Sequence, residues 1–222
     1  MNNGKTPTDN SARREKAQQD VRDLRQRISH LDSDSIDLIL TGARSHYAWK
    51  NEPVTDEQIR QMYNIVKMGS TSMNGCPARF VFVNTEEGRE RIAKSLKPAN
   101  VPKVAGAPLT VIIAYDLEFW THLPELFPHE DRRHLFEGKE AYCLDTAYRN
   151  STLQGAYLMI AARAMGLDVG AMSGFSNEII DQEFFAGTTL RSNFLCNIGV
   201  AEESALFQRL PRFDFDQVCS YA

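Results

Sequence analysis

The sequence predicts an α+β or α/β domain in which helices cover a small sheet. Three observations carry that expectation. Helical and strand-like segments alternate along the 222 residues, but only about four of them read as strands. One of these, "APLTVIIAYD" at 107–116, is a continuous apolar, β-branched run suited to burial on both faces. The segment "EAYCLDTAYRNSTLQGAYLMIAARAMG" at 140–166 reads as a long helix, apolar on most sides towards its end, and so is expected to be central.

The elements follow in chain order. The first eleven residues, "MNNGKTPTDNS", are polar and are expected to be disordered. Val21, Leu24, Ile28 and Leu31 then recur at helical spacing in a charged background. They predict an amphipathic helix with a narrow apolar stripe, laid on the body of the protein or on a partner subunit. Residues 1–34 are therefore set apart as an N-terminal extension, and 35–222 as the main domain. "SIDLILTGA" reads as a second helix stopped at Gly42. "VTDEQIRQMYNIVKMG" opens with the capping box Thr55-x-x-Gln58 and carries Ile59, Met62, Tyr63 and Val66 on one face. It ends at Gly69. "RFVFVNT" predicts a strand, "EEGRERIAKSL" a helix, and 107–116 the buried strand. Residues 117–138, with three histidines, several aromatics and two prolines, read as an irregular excursion or lid. After the long helix come a short strand ("LDVGAM"), a short helix ("NEIIDQEFF"), a strand ("NFLCNIGVA") and a basic-aromatic tail.

Composition excludes several function classes. A charged fraction of 24% and a net charge of −4 give no nucleic-acid footprint. No apolar run approaches the roughly 20 residues of a membrane span, and the N-terminus carries no apolar leader core. Cys76, Cys143, Cys196 and Cys219 are scattered without a CxxC pair, which predicts reduced thiols in a cytoplasmic protein and no zinc or disulfide framework.

Several constellations could carry chemistry. "STSMNGCPARFVFV" at 70–83 sets Ser70, Thr71, Ser72, Asn74 and Cys76 between a helix stop and a strand, with more donors than a connector needs. Arg44-Ser45-His46 follows a helix stop and reads either as a phosphate grip or as a solvated loop. Arg209 and Arg212 in "FQRLPRFDF" add a second cationic contact if the fold brings both segments to one anion, and are otherwise surface charges. Gly174 in "MSGF" would let backbone N–H groups approach a planar ligand, or would simply make a turn. His122, His129 and His134 match no paired ligand spacing, so no metal is expected. Asp116 and Glu118 lie near a strand end without a recognisable partner. No GxSxG, Walker loop or kinase signature occurs, and no GxGxxG follows a strand. A redox function therefore needs a carrier held in some other way. Cys76, beside Pro77 and without a histidine partner, reads as a small packing residue.

Taken in order, "ARSHYAW", "GSTSMNGCPARFVFV", "GLDVGAMSGF" and "RLPRFDF" resemble the FMN-dependent nitroreductase family over roughly residues 36–222. "LPELFPHEDRRHLFEG", "AYRNSTLQGAYLMIAARAMGLDVGAMSGF" and "FFAGTTLRSNFLCNIG" are similar to the branch of malonic semialdehyde reductase and of nitroreductases associated with haloaromatic degradation. The resemblance implies an α+β fold with a small, mostly antiparallel sheet, an intertwined homodimer, and one FMN at each of two subunit interfaces. It implies that Ser70, Thr71, Ser72 and Asn74 form a turn along the flavin bound mainly by the other subunit. Arg44, Ser45 and His46 would belong to the N-terminal phosphate segment, with Arg209 and Arg212 as the C-terminal cations. Ser173 and Gly174 would lie over the reactive N5, and Asn100 at the pyrimidine edge. No protein side chain is implied as a catalytic acid or base, because the chemistry occurs at the cofactor.

Four departures from the family pattern stand out. A basic residue is common just before the first Arg and another two places after the Ser; here these are Ala43 and Tyr47. The first loss thins the phosphate grip. The second removes a positive charge near flavin N1, one that would favour reduced, anionic FMN. Around the Pro, the common Gln and Trp are Cys76 and Ala78. The expected function is hydride transfer from NADPH or NADH through the flavin to malonic semialdehyde, giving 3-hydroxypropionate. Arg132, Arg133 or Arg149 would meet the substrate carboxylate. The alternatives are a broad nitroaromatic or quinone reductase and a flavin-binding protein without turnover.

Overall fold

The computed structural model describes residues 7–222. The N-terminal six of the eleven residues expected to be disordered lie outside that range. From Pro7 the chain is helical: α1 spans Pro7–Arg27. Side-chain pairs four residues apart, Lys16 with Asp20 at 3.3 Å and Gln19 with Asp23 at 2.6 Å, support it locally. It ends before Ile28 and Leu31, so the expected stripe runs past the helix. Val21 and Leu24 on it are exposed.

The second predicted helix is split into α2 (Ser33–Ile36), capped by Asp32, and a π-helical turn at Asp37–Thr41. α3 (Asp56–Val66) starts where its capping box requires, with Thr55 Oγ1 accepting from Gln58 N and Gln58 Oε1 accepting from Thr55 N. Strand β1 (Ala78–Val83), α4 (Glu86–Ala93), α5 (Val101–Ala105) and β2 (Leu109–Asp116) follow. The 117–138 excursion contains short helical turns, among them α6 (Leu123–Leu126). Then come α7 (Glu140–Ala164), β3 (Asp168–Met172), α8 (Asn177–Phe185), β4 (Leu190–Gly199) and, in the tail, the single turn α9 (Phe215–Val218).

The four strands form one antiparallel sheet in the order β1-β2-β4-β3, which settles the class as α+β. β2 is buried along its whole length. Successive side chains of a strand point to opposite faces, so β2 supplies two cores. Val111 and Ile113 pack with Met62 and Val66 of α3 and with Leu158, Ala161 and Ala162 of α7. Ile112 and Ala114 pack with Ile92 of α4, Val104 of α5, and Ile180 and Phe185 of α8. Each fully buried Leu or Ile contributes about 1.5–3 kcal/mol through removal from water. The register also fixes two ends to the sheet. Leu109 of β2 pairs with Ile198 at one end, and Asp116 pairs with Leu190 at the other. No helix among the described residues is long and apolar enough to cross a membrane.

Candidate functional site

At the Leu109 end, the segment after the π-turn runs beside β3 and then beside the chain leaving β4. Ser45 bridges to Val169, and His46 N donates to Val169 O at 3.0 Å. Further along, Lys50 N donates to Val200 O at 2.9 Å. A side chain at Gly170 would put its Cβ 2.3 Å from His46 O, so this close approach needs glycine. The path carries Arg44 and Ser45 against the tail. Arg44 Nη2 donates to Phe207 O, and Arg209 Nη2 donates to Ala43 O at 3.1 Å. The two predicted cationic segments, more than 160 positions apart in sequence, thus share one cavity of about 280 Å³. Arg44, Ser45, Tyr47, Arg209 and Arg212 line it. Three guanidinium groups and no acidic residue face that space. Among the described residues, none of the three forms an ion pair. Such a donor set suits an anion.

His46 is placed differently from its two neighbours. It does not line the cavity; its side chain is buried and its Nε2 lies 3.3 Å from Asp168 Oδ1. Burial pushes its pKa down, Asp168 pulls it up, and Arg44 and Arg163 push it down further. Its Nδ1 and the Trp49 Nε1 are buried without a hydrogen-bond partner.

A second group sits where β3 ends. Ser173 is exposed, and Gly174 O accepts from Lys97 N at 3.2 Å and from Asn100 Nδ2 at 3.0 Å. A Cβ on Gly174 would meet Asn100 Nδ2 at 2.6 Å. Asn100 Oδ1 in turn accepts from Lys103 Nζ at 2.9 Å, and that ammonium lies 4.6 Å from the centre of the Tyr47 ring. Tyr47 is also a wall of the arginine cavity. A continuous row therefore runs from Arg44, Arg209 and Arg212 through Tyr47, Lys103 and Asn100 to Gly174. Sequence reasoning missed Lys103. Its signal was a lysine three residues after Asn100, one helical turn on.

At the Asp116 end lies the hydroxyl-rich turn. Thr71 Oγ1 accepts from Cys76 N at 3.1 Å, Asn150 Oδ1 accepts from Ser72 N at 2.8 Å, and Tyr157 Oη donates to Ser70 O at 3.0 Å. Asn74 Nδ2 donates to Leu126 O of the excursion at 2.8 Å. Met73, Asn74 and Cys76 all adopt left-handed φ, at 51°, 51° and 41°. Three non-glycine residues in that region cost about 1–3 kcal/mol each, a burden that clusters at ligand-binding turns. Among the described residues the side-chain hydroxyls of Ser70 and Ser72 make no hydrogen bond, and Ser72 and Asn74 are exposed. Asn150 and Gln154, buried on α7, were not anticipated. They hold Ser72 N and, through Gln154 Oε1, Ala78 N at 2.9 Å. Two amides one turn apart on a helix buried on that side were the available clue.

The turn and the arginine cavity stand at opposite ends of the sheet. Ala78 pairs with Tyr115, whereas Val169, beside Ser45, pairs with Ile198 and through it with Leu109. The eight residues of β2 separate them by about 24 Å.

Comparison with known proteins decides the family. The profile of the Nitroreductase family matches residues 40–199. The chain belongs to the nitroreductase family. It is therefore of flavin oxidoreductase type. Over 193 residues it is 49% identical to a Cupriavidus pinatubonensis protein that carries the provisional name NADH dehydrogenase/NAD(P)H nitroreductase, covering 86% of this chain and 98% of that protein. A Burkholderia lata protein of the same provisional name is 48% identical over 191 residues, with the same coverage. Among solved structures, a provisionally named nitroreductase from Exiguobacterium sibiricum in complex with FMN superposes with a TM-score of 0.77 at 21% identity, covering 87% of this chain and 99% of that one. This last likeness speaks to the fold.

The residues gathered here fit FMN as this nitroreductase-family chain presents them. A cavity with three guanidinium groups and a serine suits a phosphate. Glycine is required at 174 because the Asn100 amide fills the space that a Cβ would take.

Proposed function

We propose that the chain is an FMN oxidoreductase that takes reducing equivalents from NADPH or NADH and delivers them to a small acceptor. The observation that carries this reading is the row from the arginine cavity to Gly174. It offers phosphate donors at one end and amide, ammonium and backbone groups at the other, as a molecule with a phosphate tail and a polar ring edge requires. When bound, FMN supplies the hydride chemistry. Arg44, Ser45, Arg209 and Arg212 hold the phosphate, Asn100 and Lys103 meet the pyrimidine edge, and Gly174 with Ser173 leaves the ring face open to the backbone. His46 serves from behind, fixing the Arg44–Ser45 segment to β3.

The turn at 70–76 completes the site from a second copy, so the working unit is a homodimer. The strand order supports this: the turn precedes β1 at one edge of the sheet and Gly174 follows β3 at the other, three strand spacings or about 14 Å apart. So does the tail, where Phe207, Leu210, Phe213 and Tyr221 are more than two-thirds exposed and need cover. β1 is an edge strand, and a cavity of about 660 Å³ lies along Arg79, Phe80 and Phe82.

For the acceptor, the branch resemblance supports malonic semialdehyde, reduced to 3-hydroxypropionate. The arginines first considered for its carboxylate are all engaged: Arg132 with Glu130 at 2.6 Å, Arg133 with Asp131 at 2.6 Å and Arg149 with Asp145 at 2.9 Å. A nitroaromatic or quinone acceptor is the second reading, favoured by the provisional names of the curated relatives. The test is anaerobic reduction of the FMN-loaded protein by NADPH or NADH, followed by reoxidation with each acceptor in turn. Bleaching of the flavin and a kcat/KM highest for the semialdehyde support the first reading, and a preference for nitroarenes or quinones supports the second. A yellow protein that neither cofactor bleaches overturns both.

A further inference from the structure

We propose that Tyr47 is a positioning residue for Lys103, holding its ammonium toward the row between Arg44 and Gly174. The inference rests on the FMN reading above. A ring face attracts an ammonium within about 6 Å of its centre, and Lys103 Nζ lies 4.6 Å from that of Tyr47. One of its N–H groups is donated to Asn100 Oδ1 at 2.9 Å. The backbone below is fixed as well: Asn197 Nδ2 donates to Lys103 O at 2.9 Å, and the buried Asn197 Oδ1 accepts from Thr110 Oγ1 at 2.7 Å. Among the described residues no carboxylate pairs with Lys103, so its charge is left uncompensated.

Ring and amide together confine a flexible lysine to one direction. Tyr47 brings no charge of its own, and turns a charge carried by α5 toward the row between Arg44 and Gly174. Two-electron reduction of a flavin with uptake of one proton adds one negative charge. A fixed ammonium at the pyrimidine edge therefore holds the reduced form more tightly than the oxidised form, and raises the midpoint potential. A lysine free to swing into water is screened and does this less well.

The test measures midpoint potentials of FMN-loaded wild type, Tyr47→Leu, Tyr47→Phe, Lys103→Met and the double variant by equilibration with reference dyes. FMN affinity for both redox states is followed in parallel by fluorescence. Tyr47→Leu is expected to lower the preference for reduced over oxidised FMN about tenfold, equal to about 30 mV for a two-electron couple. Lys103→Met is expected to lower it about a hundredfold, or about 60 mV. Tyr47→Phe, which keeps the ring, should stay within about twofold of wild type. The double variant should match Lys103→Met alone, because the tyrosine acts through the lysine. A Tyr47→Leu potential equal to wild type overturns the inference, and so does a Tyr47→Leu shift that persists undiminished in the Lys103→Met background. Failure of the wild-type chain to take up FMN is a different result: it sinks the cofactor reading itself.

Discussion

Asp168 ties His46 to the start of β3: one carboxylate oxygen lies 3.3 Å from His46 Nε2, and the other accepts the Ala201 backbone N–H at 3.0 Å. A single side chain thus fastens the segment carrying Arg44 and Ser45 and the exit of β4 that leads to Arg209 and Arg212.

The buried imidazole makes stability depend on pH. Burial, the largest influence, pushes the His46 pKa below its ordinary value of 6.5, with Asp168 opposing and Arg44 and Arg163 reinforcing. Between the folded and unfolded values the unfolded chain binds more protons, so stability rises with pH there. His46 therefore contributes its full share above about pH 6.5 and loses it as pH falls through the folded value, with a slope of at most about 1.4 kcal/mol per pH unit. Urea unfolding between pH 5 and 8 should show that slope in wild type and a flatter profile in His46→Asn. Parallel profiles would remove the histidine from the account.

The turn at 70–76 should depend on α7. Asn150 Oδ1 accepts Ser72 N, and Asn150 Nδ2 donates to Thr146 O at 2.8 Å. Asn150→Ala removes the partner of the Ser72 N–H, which water can replace at this exposed residue, and is expected to cost about 0.5–1.5 kcal/mol. Hydrogen exchange should localise the loss, with the Ser72 amide exchanging faster while the amides of β2 keep their protection relative to the global stability. Unchanged exchange at Ser72 would mean that the amide is held by something else.

The three-arginine cavity should read phosphate and little else. Arg212→Gln is expected to weaken FMN binding about 10- to 100-fold, since a charge-assisted hydrogen bond contributes about 1.5–3 kcal/mol. Riboflavin, which lacks the phosphate, should bind both proteins alike, and the salt dependence of FMN binding should become shallower in the variant. Equal losses for riboflavin and FMN would mean that Arg212 shapes the pocket and does not meet the anion.

The four free thiols should separate by reactivity. Cys196 is fully buried, and burial pushes its pKa up to about 12; burial also raises Cys143. Cys219 is exposed and Cys76 half-buried. At pH 7.5 a thiol-specific dye should label Cys219 first, Cys76 more slowly, and Cys143 and Cys196 only on unfolding. Mass mapping of labelled peptides checks the order, and rapid labelling of Cys196 would contradict the packing of β4.

What the sequence disclosed was mainly local. The Thr55–Gln58 capping box placed the start of α3, and "NEIIDQEFF" is α8 residue for residue, because caps and short-range periodicity are written in adjacent positions. The buried strand and the long helix were legible from composition alone. The helical piece at 98–105 was not, since two prolines and one apolar turn offer no period to read. The site divided in the same way. Arg44, Ser45, Arg209 and Arg212 could be named from their motifs, but their meeting depends on the chain running beside β3 and past the exit of β4. Lys103, Asn150 and Gln154 carry local clues in their spacing, but their partners Tyr47, Ser72 and Ala78 lie 56 or more positions away and are set only by the fold.

The span of the central sheet has a genetic corollary. If every crevice borrows its hydroxyl-bearing loop from the neighbouring copy, lesions at the two poles should behave as separate complementation groups. Co-expressing a chain crippled at Arg212 with one crippled at Ser72 and Asn74 would yield mixed pairs holding one wholly intact crevice and one doubly damaged. Two inactive alleles would then recover activity together, a rescue that a self-sufficient single polypeptide could never deliver.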